Sequence, residues 1–320
     1  MTQTNSREAD VVRQKRFVAV GHQGLRLTSI DGVTWTNPVT GKEGEVYRAV
    51  AFGNGRHVAV GSFGGSNIFA STNDGTDWQT QTKDAKYVNY LRGLGFGNEL
   101  FIGLGGDPGS VGDSRPFVMT SADGATWTEP IPNLITQTML PKNHASDAGS
   151  KPPASSKNLL RRIAYGNDRF VAVGDRGRRA VTKDGKEWTD VPGVKAIDTL
   201  IDVTFGNGRF VGVGLHGLRM SSEDGVYWSE KLMGEEGEHI NSIIWTGDRF
   251  VAVGQGATYV STNGLDWDRI PNKDAPLIAI YGLDRYVGSN WRGRLMWSKD
   301  AIEWQLAFQA GHHIEAVAFG

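Results

Sequence analysis

The sequence predicts an all-β protein, a seven-bladed β-propeller built from four-stranded antiparallel blades. Two observations lead to this fold: a short phrase ending in tryptophan occurs seven times, and a strand-like phrase precedes each copy. The composition agrees, since 320 residues include 43 glycines and 10 tryptophans. Units of about 40 residues, each with four short strands, are typical of propellers.

The tryptophan phrase has the pattern Ser/Thr-x-Asp-Gly-x-x-Trp. Its copies are SIDGVTW, TNDGTDW, SADGATW, TKDGKEW, SEDGVYW, STNGLDW and SKDAIEW, ending at Trp35, Trp78, Trp127, Trp188, Trp228, Trp267 and Trp304. Asn263 replaces the aspartate in the sixth copy, and Ala301 replaces the glycine in the seventh. An aspartate in such a turn can accept hydrogen bonds from nearby backbone amides. We therefore expect each copy to be a turn before the last strand of a blade.

The upstream phrase is apolar and β-branched, as strands prefer. It reads RFVAVG at 16–21, 169–174 and 249–254, RHVAVG at 56–61, RFVGVG at 209–214, LFIGLG at 100–105 and RYVGSN at 285–290. Turns of the Gly-Asn-Gly type stand before most copies, and such pairs accept the positive φ of tight hairpins. One unit is therefore strand, hairpin turn, strand, loop, strand, Asp-Gly turn and strand.

The two ends of the sequence complement each other. From Arg16 the chain begins with the second strand of a unit, and HHIEAVAFG at the other end is a lone first strand. We expect this strand to complete the N-terminal blade and close the ring, which removes the free edges. The predicted organisation is an extension over 1–15 and a single propeller domain over 16–320, with insertions at 105–116 and 129–158.

Composition excludes several classes of function. There is no cysteine, so no disulfide framework or cysteine-ligated metal. The 34 basic and 35 acidic residues give a net charge of −1, which does not favour nucleic acid as a partner. No apolar run is long enough to span a membrane. The polar N-terminus predicts a cytoplasmic protein, or a secreted or periplasmic one if a signal has been removed. We expect a monomer without cofactor or metal.

The seven copies of the tryptophan phrase resemble the Asp-box, or bacterial neuraminidase repeat, of the sialidase-like propellers. The resemblance extends from Arg16 to Gly320. It implies that the boxes are structural and lie on the face opposite the ligand site, so that Asp31, Asp74, Asp123, Asp184 and Asp224 build turns. Members of the Asp-box superfamily include sialidases, xyloglucan hydrolases, lectins and photosystem assembly factors, so the resemblance leaves the activity open.

The first strands supply the candidate binding site. Arg48, Arg92 and Arg161 occupy the same position in three successive units, Arg162 follows directly, and Glu315 holds this position in the first unit. Because first strands begin at the expected ligand face, these arginines should meet at the channel mouth. Arginine suits bidentate binding of a carboxylate or phosphate, and the resemblance implies an arginine triad on a substrate carboxylate. The alternative is a belt of salt bridges with Glu315, Asp202 or Glu45.

Loops on the same face add further candidates. Those for ligand binding, besides the arginines, are His22, His216, Trp291, Arg292 and His312. Those for a general acid, base or nucleophile are Tyr47, Tyr90, Asp107, Asp175 and Glu315.

These residues fit two classes of function. One is a channel-mouth site that binds an anionic or carbohydrate-like small ligand, and that could cleave it as a glycoside hydrolase or polysaccharide lyase. The other is a non-catalytic scaffold for protein interaction or assembly, since a scaffold alone does not define function.

Overall fold

The computed structural model describes residues 14–84, 90–107, 115–132, 137–138, 158–191 and 194–320. It confirms the seven-bladed β-propeller. In chain order, blades 1 to 3 contain β1 (Phe17–Gly21), β2 (Arg26–Ser29), β3 (Thr36–Val39), β4 (Val46–Gly53), β5 (Arg56–Phe63), β6 (Ser66–Thr72), β7 (Gln79–Asp84), β8 (Leu91–Gly97), β9 (Leu100–Gly105), β10 (Phe117–Ser121) and β11 (Ile131–Pro132).

The remaining strands build blades 4 to 7. They are β12 (Gln137–Thr138), β13 (Leu160–Gly166), β14 (Arg169–Gly174), β15 (Arg179–Thr182), β16 (Thr189–Asp190), β17 (Leu200–Gly206), β18 (Arg209–Gly214), β19 (Arg219–Ser222), β20 (His239–Trp245), β21 (Phe250–Gln255), β22 (Ala257–Ser261), β23 (Asp268–Pro271), β24 (Ile278–Gly282), β25 (Arg285–Asn290), β26 (Arg294–Ser298), β27 (Gln305–Gln309) and β28 (Ile314–Phe319). Short 3-10 turns occupy Asp175–Gly177, Ala196–Asp198 and Trp291–Gly293. Within the described ranges, no helix is long and apolar enough to cross a membrane.

The ring closes as the sequence predicts. Blade 1 has the order β28-β1-β2-β3, with Phe17 paired to Phe319, so the C-terminal strand is its innermost strand. The first strands of successive blades contact one another around the whole ring and line the channel. Two blades depart from four strands. Blade 4 gains β12 as a parallel outer strand, and blade 5 has a bridge between Arg219 and Leu232 in place of its fourth strand.

Glycines at the ends of the first strands let neighbouring blades approach closely. A Cβ built on Gly206 would lie 2.2 Å from a ring carbon of Trp245 in the next blade. The same contact recurs around the ring, with Gly53 against Phe96, Gly97 against Tyr165, Gly166 against Phe205, Gly282 against Phe319, and Gly320 against Phe52. Much of the glycine excess therefore has a packing cause, which the turn pattern alone does not reveal.

The Asp boxes are turn structures, as predicted. Oδ1 of Asp31 accepts hydrogen bonds from the amides of Val33 and Thr34 at 2.8 and 2.7 Å, and Ser29 Oγ accepts from Gly32 at 2.7 Å. Equivalent bonds occur in the other boxes, including the sixth, where Asn263 Oδ1 is the acceptor. In the third box, backbone amides lower the pKa of Asp123 to about 2. These carboxylates therefore stabilise turns.

The boxes also join blades. The asparagine of a first hairpin turn donates to a box carbonyl of the following blade: Asn54 to Ala122 at 2.8 Å and Asn207 to Thr262 at 3.0 Å. Hairpin turns and boxes thus lie together on one face, which we call the lower face. The first strands begin on the opposite, upper face, together with the loops between second and third strands.

Candidate functional site

The position shared by Arg48, Arg92 and Arg161 is a β-bulge. In β4 the pairing with β5 shifts register between Tyr47 and Ala49, which leaves Arg48 without a partner residue. The same shift occurs at Arg92 and Arg161, and also at Ile201, Asn241 and Glu315. A bulge turns a side chain away from the ladder and is frequent beside functional sites. Six of the seven first strands therefore place a bulged residue at the channel mouth.

At five of the six bulges, a glycine of the second strand permits the close approach of the first-strand backbone. In blade 4, a Cβ built on Gly174 would lie 1.9 Å from the carbonyl oxygen of Leu159, two residues before Arg161. Gly21, Gly61, Gly214 and Gly254 make equally close approaches to the first strands of their blades. The last letter of the repeated phrase RFVAVG is thus a requirement of the bulge. This glycine is the sequence signal for the bulges, and its role becomes visible only when the first and second strands are paired.

Glu315 joins His22 and Arg48 at the mouth. Its Oε1 lies 2.7 Å from His22 Nε2 and 3.3 Å from Arg48 Nη1. The His22 ring is edge-on to His313, with centroids 5.3 Å apart. Burial lowers the pKa of His313, the Glu315 carboxylate opposes this effect, and His22 adds to it. His313 belongs to the loops of the predicted face but was not assigned to ligand binding, because only the three-dimensional contact brings it beside His22.

Two further arginines are neutralised in the same way. Arg161 makes a two-pronged contact with Asp175, in which Nη2 lies 2.7 Å from Oδ2. Arg162 Nε lies 3.8 Å from Oδ1 of Asp202, and Asp202 also accepts from the Ile243 amide at 3.0 Å. Burial raises the pKa of Asp202, and the charge of Arg162 opposes that shift. Ion pairs of the alternative inter-blade belt therefore join Arg48 to Glu315 and Arg162 to Asp202, whereas the pair of Arg161 with Asp175 lies within blade 4.

Arg92 differs from its neighbours. Among the described residues it has no ion-pair or hydrogen-bond partner, and its Nε is buried without an acceptor. Burial lowers the pKa of Arg92 to about 10, repulsion from Arg161 and Arg48 adds to this shift, and attraction to Asp175 and Glu315 opposes it. The group is still a cation at neutral pH. The mouth therefore contains one half-buried guanidinium that forms no direct ion pair within the described part of the chain.

The predicted tyrosines occupy two environments. Tyr90 lies at the mouth, with Arg48 over its ring at 5.8 Å from the centroid, and its backbone has a positive φ of 72°. Such a φ is uncommon for a bulky residue and often accompanies a functional site. Tyr47 is buried in the core between blades 1 and 2, where burial raises its pKa. Tyr47 is therefore out of reach of a ligand at the mouth.

The remaining predicted residues are spread over the upper face. Trp291 is exposed and stacks on His313, with centroids 5.6 Å apart and ring planes 16° apart. Arg292 and His312 are exposed beside it. His216 lies in blade 5, where its amide donates to His239 Nδ1 at 3.2 Å. Asp107 is exposed at the start of the insertion at 105–116.

Most of the two predicted insertions lies outside the described residues, namely 108–114, 133–136 and 139–157. The same holds for residues 1–13 of the N-terminal extension. Across the described ranges, no three histidine, aspartate or glutamate side chains form a group that could hold a metal.

Comparison with known proteins shows the fold. The chain matches no protein-family model and no curated protein. Solved propellers superpose over most of its length. The periplasmic gluconolactonase PpgL of Pseudomonas aeruginosa has a TM-score of 0.66 at 9% identity, over 95% of this chain and 98% of that one. YCF48 bound to D1 peptide has a TM-score of 0.59 at 17% identity, over 86% of this chain and 85% of that one. The WD40 domain of Doa1 has a TM-score of 0.54 at 10% identity, over 84% of each chain.

Proposed function

We propose that this protein binds a ligand bearing a carboxylate at the upper mouth of the channel, and that Arg92 is the anchor. The observation that supports the proposal is the charge balance of the mouth. Glu315 neutralises Arg48 and Asp175 neutralises Arg161, whereas Arg92 between them has no acidic partner in the described part of the chain.

A bound carboxylate would supply the missing counter-charge. A guanidinium offers two parallel N–H donors to such a group. The half-buried setting strengthens the attraction, because the effective dielectric constant is lower there than in water. The flanking ion pairs hold Arg48 and Arg161 in place. The sialidase-like resemblance, with its arginine triad, agrees with this arrangement.

Binding rather than cleavage is the activity that these contacts favour. A glycosidase needs one carboxylic acid to protonate the leaving group and a second carboxylate as nucleophile or base. At this mouth Oε1 of Glu315 accepts from His22 and Arg48, and both oxygens of Asp175 accept from Arg161. Both carboxylates thus stabilise cations, and Tyr47 is buried. We therefore propose a receptor, with no assigned reaction.

A second candidate function is a scaffold for protein interaction. It is favoured by a structural neighbour solved as YCF48 bound to D1 peptide, and by the WD40 propeller of Doa1. A peptide also carries carboxylates, so its acidic groups would meet the same arginines. The gluconolactonase neighbour, by contrast, is named for a small molecule.

Calorimetric titration of carboxylates tests the proposal. Galacturonate, N-acetylneuraminate and gluconate are titrated into the wild type and into Arg92→Ala, with neutral galactose as the matched ligand. Arg249→Ala is the control, because Arg249 is exposed and paired with its neighbour Asp248. We expect Arg92→Ala to weaken carboxylate binding about tenfold or more, whereas the control binds like the wild type. Equal affinity in Arg92→Ala would discard the anion site, and binding of acidic peptides alone would favour the scaffold.

A further inference from the structure

Trp291 is exposed yet held in one orientation. Its side chain is 65% exposed, the largest exposed fraction of any tryptophan described. A single exposed apolar residue is ordinary, but this indole stacks almost parallel on the His313 imidazole, with a tilt of 16°. The indole therefore presents an exposed aromatic surface, and the nearly parallel His313 ring helps to fix its orientation. We call Trp291 and His313 the platform.

The loop below the platform is pinned by hydrogen bonds. The Trp291 amide donates to Asn290 Oδ1 at 2.8 Å, Gln309 Nε2 donates to the Arg292 carbonyl at 2.7 Å, and the Ala310 amide donates to the Gly293 carbonyl at 2.8 Å. Arg292 has a φ of 61° and Gly293 one of 76°. The backbone is thus fixed before any ligand arrives, which reduces the entropy lost on binding.

The loop position shows where the platform faces. The loops beginning at His22, Asp175 and Trp291 share one conformation, in which the second residue has a φ of 57°, 51° and 61° and the third is a glycine of positive φ. In the first two loops, the first residue contacts a bulged mouth residue: His22 contacts Glu315, and Asp175 contacts Arg161. Trp291 occupies the equivalent position in blade 7. Trp291 also stacks on His313, which lies two residues before Glu315 at the mouth.

A continuous row of side chains leads from the platform to Arg92. His313 contacts His22, His22 contacts Glu315, and Glu315 contacts Arg48, which repels the adjacent Arg92. The row presents an aromatic face at one end, hydrogen-bonding groups in the middle and an unneutralised cation at the other end.

We propose that the ligand is an acidic oligosaccharide built from uronate units. One pyranose ring stacks on the platform, hydroxyls meet His22 and Glu315, and a carboxylate from another unit binds Arg92. The aliphatic face of a pyranose packs well on a flat aromatic ring, and its hydroxyls satisfy polar groups that an apolar ligand would leave unpaired. This assignment rests on the proposed function, because it takes Arg92 as the carboxylate anchor.

The test compares four probes: galacturonate, tri-galacturonate, neutral maltotriose and the acidic peptide Glu-Glu-Glu. Affinities are measured for the wild type, Trp291→Ala and Arg92→Ala. The signal specific to Trp291 is the difference in tryptophan emission between the wild type and Trp291→Phe. Tyr227→Ala is the matched control, because Tyr227 is an aromatic residue that is 51% exposed in an Asp box on the opposite face.

We expect tri-galacturonate to bind the wild type about tenfold more tightly than galacturonate and to change the Trp291 emission. Trp291→Ala should lose this gain and keep its affinity for galacturonate, and Tyr227→Ala should behave like the wild type. Undiminished binding of tri-galacturonate to Trp291→Ala, no binding of it to the wild type, or an equal Trp291-dependent gain with the peptide would each overturn the assignment. The proposed function fails separately, if Arg92→Ala retains wild-type affinity for galacturonate.

Discussion

Arg48 Nη1 lies 3.3 Å from Glu315 Oε1, and this bond links a bulged residue of blade 2 to the bulged residue of blade 1. The same carboxylate oxygen lies 2.7 Å from His22 Nε2. The Glu315 carboxylate therefore holds both the His22 imidazole and the Arg48 guanidinium, two groups that would otherwise be free to bind a ligand. The pairing fixes how much positive charge the mouth offers to an anion.

Replacing Glu315 should therefore change ligand affinity. In Glu315→Gln the charge of Arg48 is no longer neutralised, and the mouth gains a second cation close to Arg92. We expect carboxylates to bind about three- to tenfold more tightly, with an affinity that depends more steeply on salt. Titration calorimetry at two ionic strengths measures both effects. Glu187→Gln, in an exposed part of the fourth Asp box, is the control. Weaker binding of galacturonate by Glu315→Gln would contradict this charge argument.

The glycine contacts between blades predict a large effect on stability. Gly206→Ala places a methyl group where a ring carbon of Trp245 lies 2.2 Å away, so the two blades must separate or the indole must move. We expect a loss of about 2–3 kcal/mol in the free energy of unfolding. Denaturant titration measures it. Gly65→Ala is the matched control, because nothing lies within 4 Å of a Cβ at that position. Equal stability of the two variants would refute this packing argument.

His57 predicts a pH-dependent stability. It is 1% exposed and occupies the position where the other blades have Phe17, Phe101, Phe170, Phe210, Phe250 and Tyr286. Burial lowers its pKa from 6.5 to about 4, with the charge of Arg16 adding to the shift. Between pH 6.5 and pH 4, His57 is protonated in the unfolded chain but stays neutral in the folded chain. The free energy of unfolding therefore decreases as pH falls through this range. The decrease approaches about 3 kcal/mol at the acid end.

His57→Phe should remove this dependence. We expect it to be about 1 kcal/mol more stable at pH 7, and the advantage should grow below pH 6.5. Denaturant titrations of both proteins between pH 4 and pH 7 give the difference curve, with His312→Gln at an exposed site as control. A difference that stays constant over this range would contradict the assignment to His57.

The fold was predictable because each blade repeats the same local signals. The Asp boxes and the hairpin turns show the strand boundaries, and the unpaired strands at the two ends imply how the ring closes. Blade 5 is less regular than its sequence pattern predicts. Trp228 is present, but the residues after it form a single β-bridge, between Leu232 and Arg219, instead of a fourth strand. A short strand depends on pairing with its neighbour, which the local sequence does not determine.

The candidate site was predictable only in part. Aligning the units places Arg48, Arg92 and Arg161 together, since first strands begin on one face. The alignment cannot show that Asp175 neutralises Arg161 while Arg92 has no such partner among the described residues, because loop side chains decide this. It also cannot show His313, whose importance arises from its contacts with Trp291 and His22.

Thermal unfolding of Arg92→Gln, with and without galacturonate, tests the central claim most directly. If Arg92 is a cation kept for a ligand, replacing it removes repulsion from Arg48 and Arg161. The ligand-free variant should then be more stable by about 1 kcal/mol after allowance for solvent screening, or about 2 °C in Tm. Galacturonate should raise the Tm of the wild type only. A variant that unfolds at a lower temperature, and that galacturonate stabilises as much as the wild type, would contradict the account.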